Sequence, residues 1–268
     1  MKTIEIPPSL KAVTKRLRLS GLLPTLPDRI AYARKEKLSE LQLLELVLQD
    51  EIDRRDNKQL STRLERAGFE DEQTFEGFDW DTKVTFERDR VRDLLGLGFI
   101  DRAEDAIFMG PVGVGKTFLA CALGHAACRA GHDVMFVRAD VMLRQLHQSR
   151  ADLSTERAMR RLLAPDLLII DDFGLRRLDP EQSSDIYELI IERHRKSSTI
   201  VTSNRSVDEW VPLFDDPLLA QSALDRLGHN AYQLVMEGPS YRDRQRPDRR
   251  VRAEVPVKPT SRRSRRKR

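Results

Sequence analysis

The spacing of apolar residues changes character along the 268-residue chain. At the start they recur every three or four positions, the period of a helix with one apolar face. Leu10, Val13 and Leu17 begin the series after Pro7-Pro8, with Lys11, Lys15, Arg16 and Arg18 between them, and it runs to Leu23 before Pro24 and Pro27 interrupt it. A second helix is predicted over Asp28 to Glu36. A third opens at Ser39, where Gln42 three residues on completes a capping box, and stays rich in leucine from Leu41 through Leu48 to Ile52 before turning charged at Asp53-Arg54-Arg55-Asp56. Residues 1–70 therefore read as a small all-helical domain. Gly68 to Asp81 shows little periodicity and holds Phe69, Phe75, Phe78 and Trp80, aromatics suited to pinning a connector to a surface. The connector is assigned to residues 71–100.

From about Asp101 the pattern becomes short apolar runs alternating with amphipathic ones, as in a parallel sheet covered by helices. Strands are predicted at Ala106 to Met109, Asp133 to Arg138, Leu167 to Asp171, Thr199 to Ser203 and Ala231 to Glu237, with helices near 116–129, 140–149, 156–163 and 180–195. Asp179-Pro180 is a start signal for the last helix, because proline fits the first helical position. Residues 101–245 read as an α/β domain around a central five-stranded parallel sheet. Residues 246–268 form a basic tail, whose last eight residues hold almost no apolar atoms and cannot support a fold, so it is expected to be disordered.

Composition qualifies this picture at two points. Lys and Arg number 47 against 43 Asp and Glu, a net charge of +4. From Pro239 onward thirteen basic residues face three acidic ones, so the surplus of ten leaves the preceding residues at about −6. A tail of that kind suits nucleic-acid phosphate. No apolar stretch approaches the roughly 18 to 20 residues a bilayer demands, and Met1 to Leu10 lacks the apolar core of a signal peptide, so a cytoplasmic protein with no membrane partner is expected.

The chemistry is concentrated at the strand ends. Gly110-Pro111-Val112-Gly113-Val114-Gly115-Lys116-Thr117 is a complete G-x-x-x-x-G-K-[ST] loop, set between an apolar strand and a helix. In such a loop glycine lets backbone N–H groups turn toward phosphate, the lysine reaches the β and γ phosphates, and the threonine hydroxyl is placed on Mg²⁺. The following helix contributes its positive N-terminus. ATP and Mg²⁺ are thus the expected ligands. Leu167-Leu168-Ile169-Ile170-Asp171-Asp172 is an apolar strand closed by two carboxylates: Asp171 is assigned to supporting the metal beside Thr117, and Asp172 to polarising the attacking water. Strict alternation along a strand would point these two side chains different ways. Asn204 ends the next strand and is assigned to holding the water or the γ-phosphate. Cys121, His125, Cys128 and His132 form a stripe on the helix after the loop, but four positions strung along one straight helix cannot surround a zinc ion. His147, His194 and His229 are isolated and receive no role.

Gly110 to Thr117, Leu167 to Asp172, Thr202-Ser203-Asn204, Ala223-Leu224-Asp225-Arg226-Leu227 and Gly238-Pro239-Ser240-Tyr241-Arg242 stand in the order and approximate spacing of AAA+ ATPases. Within that superfamily the chain resembles the IstB-type helper ATPases of insertion sequences, relatives of the DnaC helicase loader, over roughly residues 5 to 245. The resemblance implies that Asn204 is the sensor 1 residue, Arg226 an arginine finger reaching the nucleotide of a neighbouring subunit, and Arg242 the sensor 2 arginine on its own nucleotide. It further implies an ATPase that assembles as a homo-oligomer on duplex DNA, is stimulated by assembly and DNA, and presents target DNA to a cognate transposase. A DnaC-like loader of the replicative helicase is the alternative. A P-loop kinase acting on a small molecule fits poorly, since a finger in trans serves oligomeric hydrolysis. One departure stands out: the family usually places glutamate where this chain has Asp172, and the shorter carboxylate suggests slow intrinsic turnover.

Overall fold

A computed structural model of the protein describes residues 4–77 and 84–241. The chain divides into two compact units, residues 1–66 and 67–268.

The first unit is helical: α1 (Pro8–Arg16), α2 (Leu26–Glu36) and most of α3 (Glu40–Ala67). Helix α1 is shorter than its apolar spacing predicts. Arg18 adopts a left-handed backbone (φ 56°), and a 3₁₀ turn at Ser20–Leu22 replaces the rest of the expected helix. The capping box that opens α3 is present, with the Ser39 amide donating to Gln42 Oε1 at 2.9 Å and the Gln42 amide donating to Ser39 Oγ at 3.3 Å. The charged run after Ile52 continues the helix for another four turns rather than ending it. Glu51, buried on α3, accepts from Arg54 (2.7 Å) and Arg55 (2.8 Å), which hold its carboxyl down at about 2. Arg55 also donates to the Arg18 carbonyl, fixing the turn that ends α1.

The second unit begins with the connector and two short helices, α4 (Arg88–Leu95) and α5 (Gly98–Asp101). The α/β body follows as β1 (Asp105–Met109), α6 (Lys116–Ala130), β2 (Val134–Arg138), α7 (Ala139–Ala151), α8 (Thr155–Leu163), β3 (Leu167–Phe173), α9 (Pro180–Arg193), β4 (Ser198–Ser203), α10 (Pro217–His229) and β5 (Ala231–Val235). All five strands are parallel, in the order β2-β3-β4-β1-β5. Their residues are almost wholly buried in β1, β3 and β4, as continuous apolar runs in a sheet covered on both faces require. The carboxyl ends of β1, β3 and β4 therefore converge on one edge, the crevice where open α/β sheets bind ligands.

Helix α10 went unpredicted, although Asp216-Pro217 repeats the start signal of α9 and Asp216 Oδ1 accepts from the Leu218 amide at 2.8 Å. Strand β3 also departs from expectation. Its pairing with β4 slips between Ile170 and Phe173, and Asp172 sits at φ 56°. This bulge cancels the alternation that would have separated the two carboxylates.

Candidate functional site

The residue types of the glycine loop are dictated by its backbone. Gly110, Gly113 and Gly115 have φ of 148°, 85° and 99°. A Cβ on Gly110 would strike the Met236 carbonyl, and one on Gly113 would strike Ser240. Only glycine lets the loop lie this close to the β5 exit. The buried Lys116 ammonium donates to the carbonyls of Gly110 and Pro111, both at 2.8 Å, so the loop closes around its own lysine.

Asp171 is the hub of the strand ends. Its Oδ1 accepts from Thr117 Oγ1 at 2.8 Å and from Thr202 Oγ1 at 2.6 Å. Thr202 in turn accepts from the Asp172 amide at 3.0 Å, which pins the bulge in place. Burial pushes the Asp171 carboxyl above its ordinary range, against the opposing pull of the two threonine hydroxyls; the neighbouring Asp172 adds to the rise. A buried carboxylate touching a loop threonine is a hard-oxygen pair of the kind that Mg²⁺ selects, and the positive φ of Gly110, Gly113 and Gly115 beside it is the backbone that turns loop N–H groups toward phosphate. The residues present therefore fit a magnesium–nucleotide complex.

A cavity of about 850 Å³ runs along this edge, lined by loop residues 112–118, Asp171, Asp172, Asn204 and, from the connector, Glu70, Asp71 and Gln73. Both carboxylates line it. The connector is fixed to α6 there: the Phe69 ring stacks on His125 with centroids 4.3 Å apart and lies 6.1 Å from Phe136. Gly124 makes the space, since a Cβ there would come within 2.7 Å of Phe69 Cζ. His125 also hydrogen-bonds the backbone of Asp71, and burial lowers its affinity for a proton. Phe69 thus has a pinning place, while Phe78 and Trp80 lie outside the described residues. The stripe of α6 is divided among separate neighbours: Cys121 lines the cavity with its thiol pushed up to about 12 by burial, and His132 faces Asp166 at 3.9 Å.

Arg226 is not among the residues that line this cavity. It projects from α10, where its guanidinium donates to the carbonyl (2.7 Å) and hydroxyl (2.6 Å) of Ser222 one turn back. The adjacent Asp225 accepts from Gln221 instead, at 2.6 Å. Arg226 lines a second, more open cleft of about 1120 Å³ together with Asn204, His194 and His229. Among the described residues assigned to catalysis, Asn204 alone borders both. Arg242 lies outside the described residues, as does the basic tail. Sequence reasoning missed Thr202 and Gln73 as residues of the site. Thr202 could have been found from its place on the strand next to Asp171, whereas nothing in the sequence singles out Gln73.

Among the described residues no helix is long and apolar enough to cross a membrane. The sequence matches the family of IstB-like ATP binding proteins over residues 12–249. It is 42% identical over 243 residues to an ATP-binding protein of an insertion sequence in Mycobacterium tuberculosis, covering 90% of this chain and 97% of the relative. It is 35% identical over 233 residues to the ATP-binding protein of insertion sequence IS21 from Pseudomonas aeruginosa, covering 87% and 88%. Among solved structures it is similar in fold to DnaI (TM-score 0.55, 16% identity, 62% of this chain and 92% of that one). It is similar in the same way to the replication initiator DnaA bound to AMPPCP and single-stranded DNA (TM-score 0.52, 18% identity, 62% and 50%).

Proposed function

The chain belongs to the family of IstB-like ATP-binding proteins of insertion sequences, and from that premise we propose that it is an ATPase that assembles on duplex DNA and presents that DNA to a transposase. The observation that carries the reading is the division of the assigned machinery between two clefts. Lys116, Thr117, Asp171 and Asp172 surround one, and Arg226 stands in the other. A site split in this way is completed by a second copy, whose Arg226 enters the first cleft from outside.

The roles follow from position. The backbone amides of residues 113–117 and the Lys116 ammonium hold the phosphates, and Thr117 with Asp171 holds Mg²⁺, which neutralises charge on the phosphate oxygens when bound. Asp172 accepts the proton of the attacking water, and Asn204 at the end of β4 orients that water. Arg226 of the adjoining copy balances the negative charge that develops on the transferred phosphoryl group. Hydrolysis then depends on assembly, and the nucleotide acts as the control on an oligomer. Lys11, Lys15 and Arg16 are exposed on α1 and, with the basic tail, supply cations for the DNA backbone.

Electron microscopy of the full chain with duplex DNA and a non-hydrolysable ATP analogue tests this reading. Ordered oligomers that require both DNA and nucleotide are expected, together with retention of the cognate transposase in pull-down. Monomers under all conditions, or capture of a replicative helicase in place of the transposase, would overturn it.

A further inference from the structure

The exits of β3 and β4 are tied together side chain to main chain, one residue after another. The Asp172 amide donates to Thr202 Oγ1 at 3.0 Å, the Ser203 hydroxyl donates to the Phe173 carbonyl at 2.7 Å, and Arg205 Nε donates to the Gly174 carbonyl at 2.9 Å. Ser203 Oγ also accepts from the Arg205 amide and from Trp210 Nε1, both at 3.1 Å, and the Trp210 ring stands edge-on to Phe173 with centroids 4.8 Å apart. Asp172 and Asn204, the two residues assigned to the attacking water, stand within these ties.

Thr202 and Ser203 are buried and serve the sheet as well as the site. Arg205 differs from them. It is half-buried, it lines the open cleft that holds Arg226, and it lies outside the lining of the glycine-loop cavity. An arginine in that cleft invites the reading given to Arg226, a cation offered to the nucleotide of a second copy. Its Nε is committed instead to the main chain two residues beyond Asp172 of its own chain. Gly174, at φ 81°, has no side chain with which to anchor that turn, so the carbonyl is the handle by which β4 holds it.

We propose that Arg205 is a positioning residue for hydrolysis that acts within its own chain: by holding the β3 exit at Gly174 it keeps the Asp172 carboxylate in line with the water that Asn204 orients. The inference rests on the reading of the cavity as an ATPase site shared between copies. It goes beyond that reading in assigning two arginines of one cleft to opposite sides of the junction, Arg226 to the neighbour's site and Arg205 to its own. Misplacing a reacting group by about 1 Å can cost about a hundredfold in rate, so a group that touches no substrate can still govern turnover.

Steady-state hydrolysis and equilibrium ATP binding by the full chain, alone and in equal mixtures of variants, provide the test. Arg205→Met keeps the apolar stem and removes the donor; turnover is expected to fall by about a hundredfold while ATP affinity stays within about twofold of wild type. Mixed with Arg226→Ala, whose pocket is whole, it is expected to regain activity at about one junction in four, because the methionine variant still offers its own Arg226. Mixed with Lys116→Ala it is expected to regain nothing, because both defects lie in the same pocket. Recovery with Lys116→Ala overturns the proposal and makes Arg205 a second finger, and so does unchanged turnover or a loss of ATP binding in Arg205→Met. Arg205→Lys keeps a donor for the Gly174 carbonyl and is expected to hold turnover within about fivefold of wild type, whereas a guanidinium that grips phosphate does not tolerate lysine. That variant decides the matter if the methionine one does not fold, and a loss of about a hundredfold in it overturns the assignment. If Arg226→Ala and Lys116→Ala fail to complement each other, the shared site and this inference fall together; if they do complement and Arg205→Met departs from the stated pattern, only the inference falls.

Discussion

Asp172 occupies left-handed backbone (φ 56°), where aspartate and asparagine rest at little cost and most residues do not. Asp172→Asn is for that reason a cleaner probe than an alanine replacement: it removes the charge and leaves the bulge, whose amide remains bonded to Thr202. ATP binding is expected to persist while turnover falls by about a hundredfold or more, the usual loss on removing a general base. Steady-state hydrolysis beside equilibrium nucleotide binding checks it, and unchanged turnover would strip Asp172 of its assignment. The loop and both aspartates were legible in the sequence because glycine spacing and an apolar run closed by acids are one-dimensional signals. That Asp171 and Asp172 share a cavity was not, because alternation assumes a regular strand and the bulge is set by Thr202 on the neighbouring strand.

Between elements, the parallel sheet is tied at its amino-terminal edge by two buried ionisable side chains. Arg193, at the end of α9, donates to the carbonyls of Leu162, Leu163, Pro165 and Ser198 and to Thr199 Oγ1. Asp105, opening β1, accepts from the Thr199 amide at 2.7 Å, and burial raises its pKa to about 7. In the unfolded chain that group titrates near 3.9. Between roughly pH 4 and 7 the folded protein therefore holds more of the proton, and its contribution to stability, full below pH 4, is lost as pH rises to 7. Asp105→Asn keeps an acceptor for Thr199 and is expected to flatten this part of the slope, which thermal melts at pH 5 and pH 7.5 would show. If wild type and variant shift equally between those pH values, the burial argument for Asp105 fails. Truncating Arg193 to alanine would strand four carbonyls and is expected to cost about 3–5 kcal/mol in a denaturant titration. The strands and helices that were predicted in the α/β body fell within two residues of their places because period and start signals are local, whereas α4, α5 and α10 were not predicted. Nor was the early end of α1: Arg18 is held by Arg55, thirty-seven positions away, and no local pattern announces that contact.

At the scale of the assembly, the separation of Arg226 from the glycine loop carries the strongest consequence. If each active site joins Lys116, Thr117, Asp171 and Asp172 of one copy to Arg226 of the next, two defects on different copies can compensate for each other. Arg226→Ala leaves a protomer able to bind nucleotide but unable to complete its neighbour's site. Lys116→Ala leaves one that binds poorly yet still offers its arginine. Each variant alone is expected to lose about a thousandfold in turnover, on the scale of an arginine finger or more. Mixed in equal amounts and assembled at random in a head-to-tail array, about one junction in four pairs an intact pocket with an intact finger, so activity should return to roughly that fraction of wild type. Recovery should also depend on total protein concentration, since diluted subunits have no neighbour. Had Arg226 acted within its own chain, neither variant could rescue the other and the mixture would stay as inactive as its parts. The order of motifs pointed toward this arrangement, but the sequence alone could not place Arg226, because nothing in one dimension tells which of two clefts a residue faces. The structure sets it beside Asn204, His194 and His229, held in that cleft by Ser222. The complementation experiment therefore asks whether the cleft's missing occupant is the nucleotide of a second copy, and a mixture that gains nothing over its components would answer that it is not.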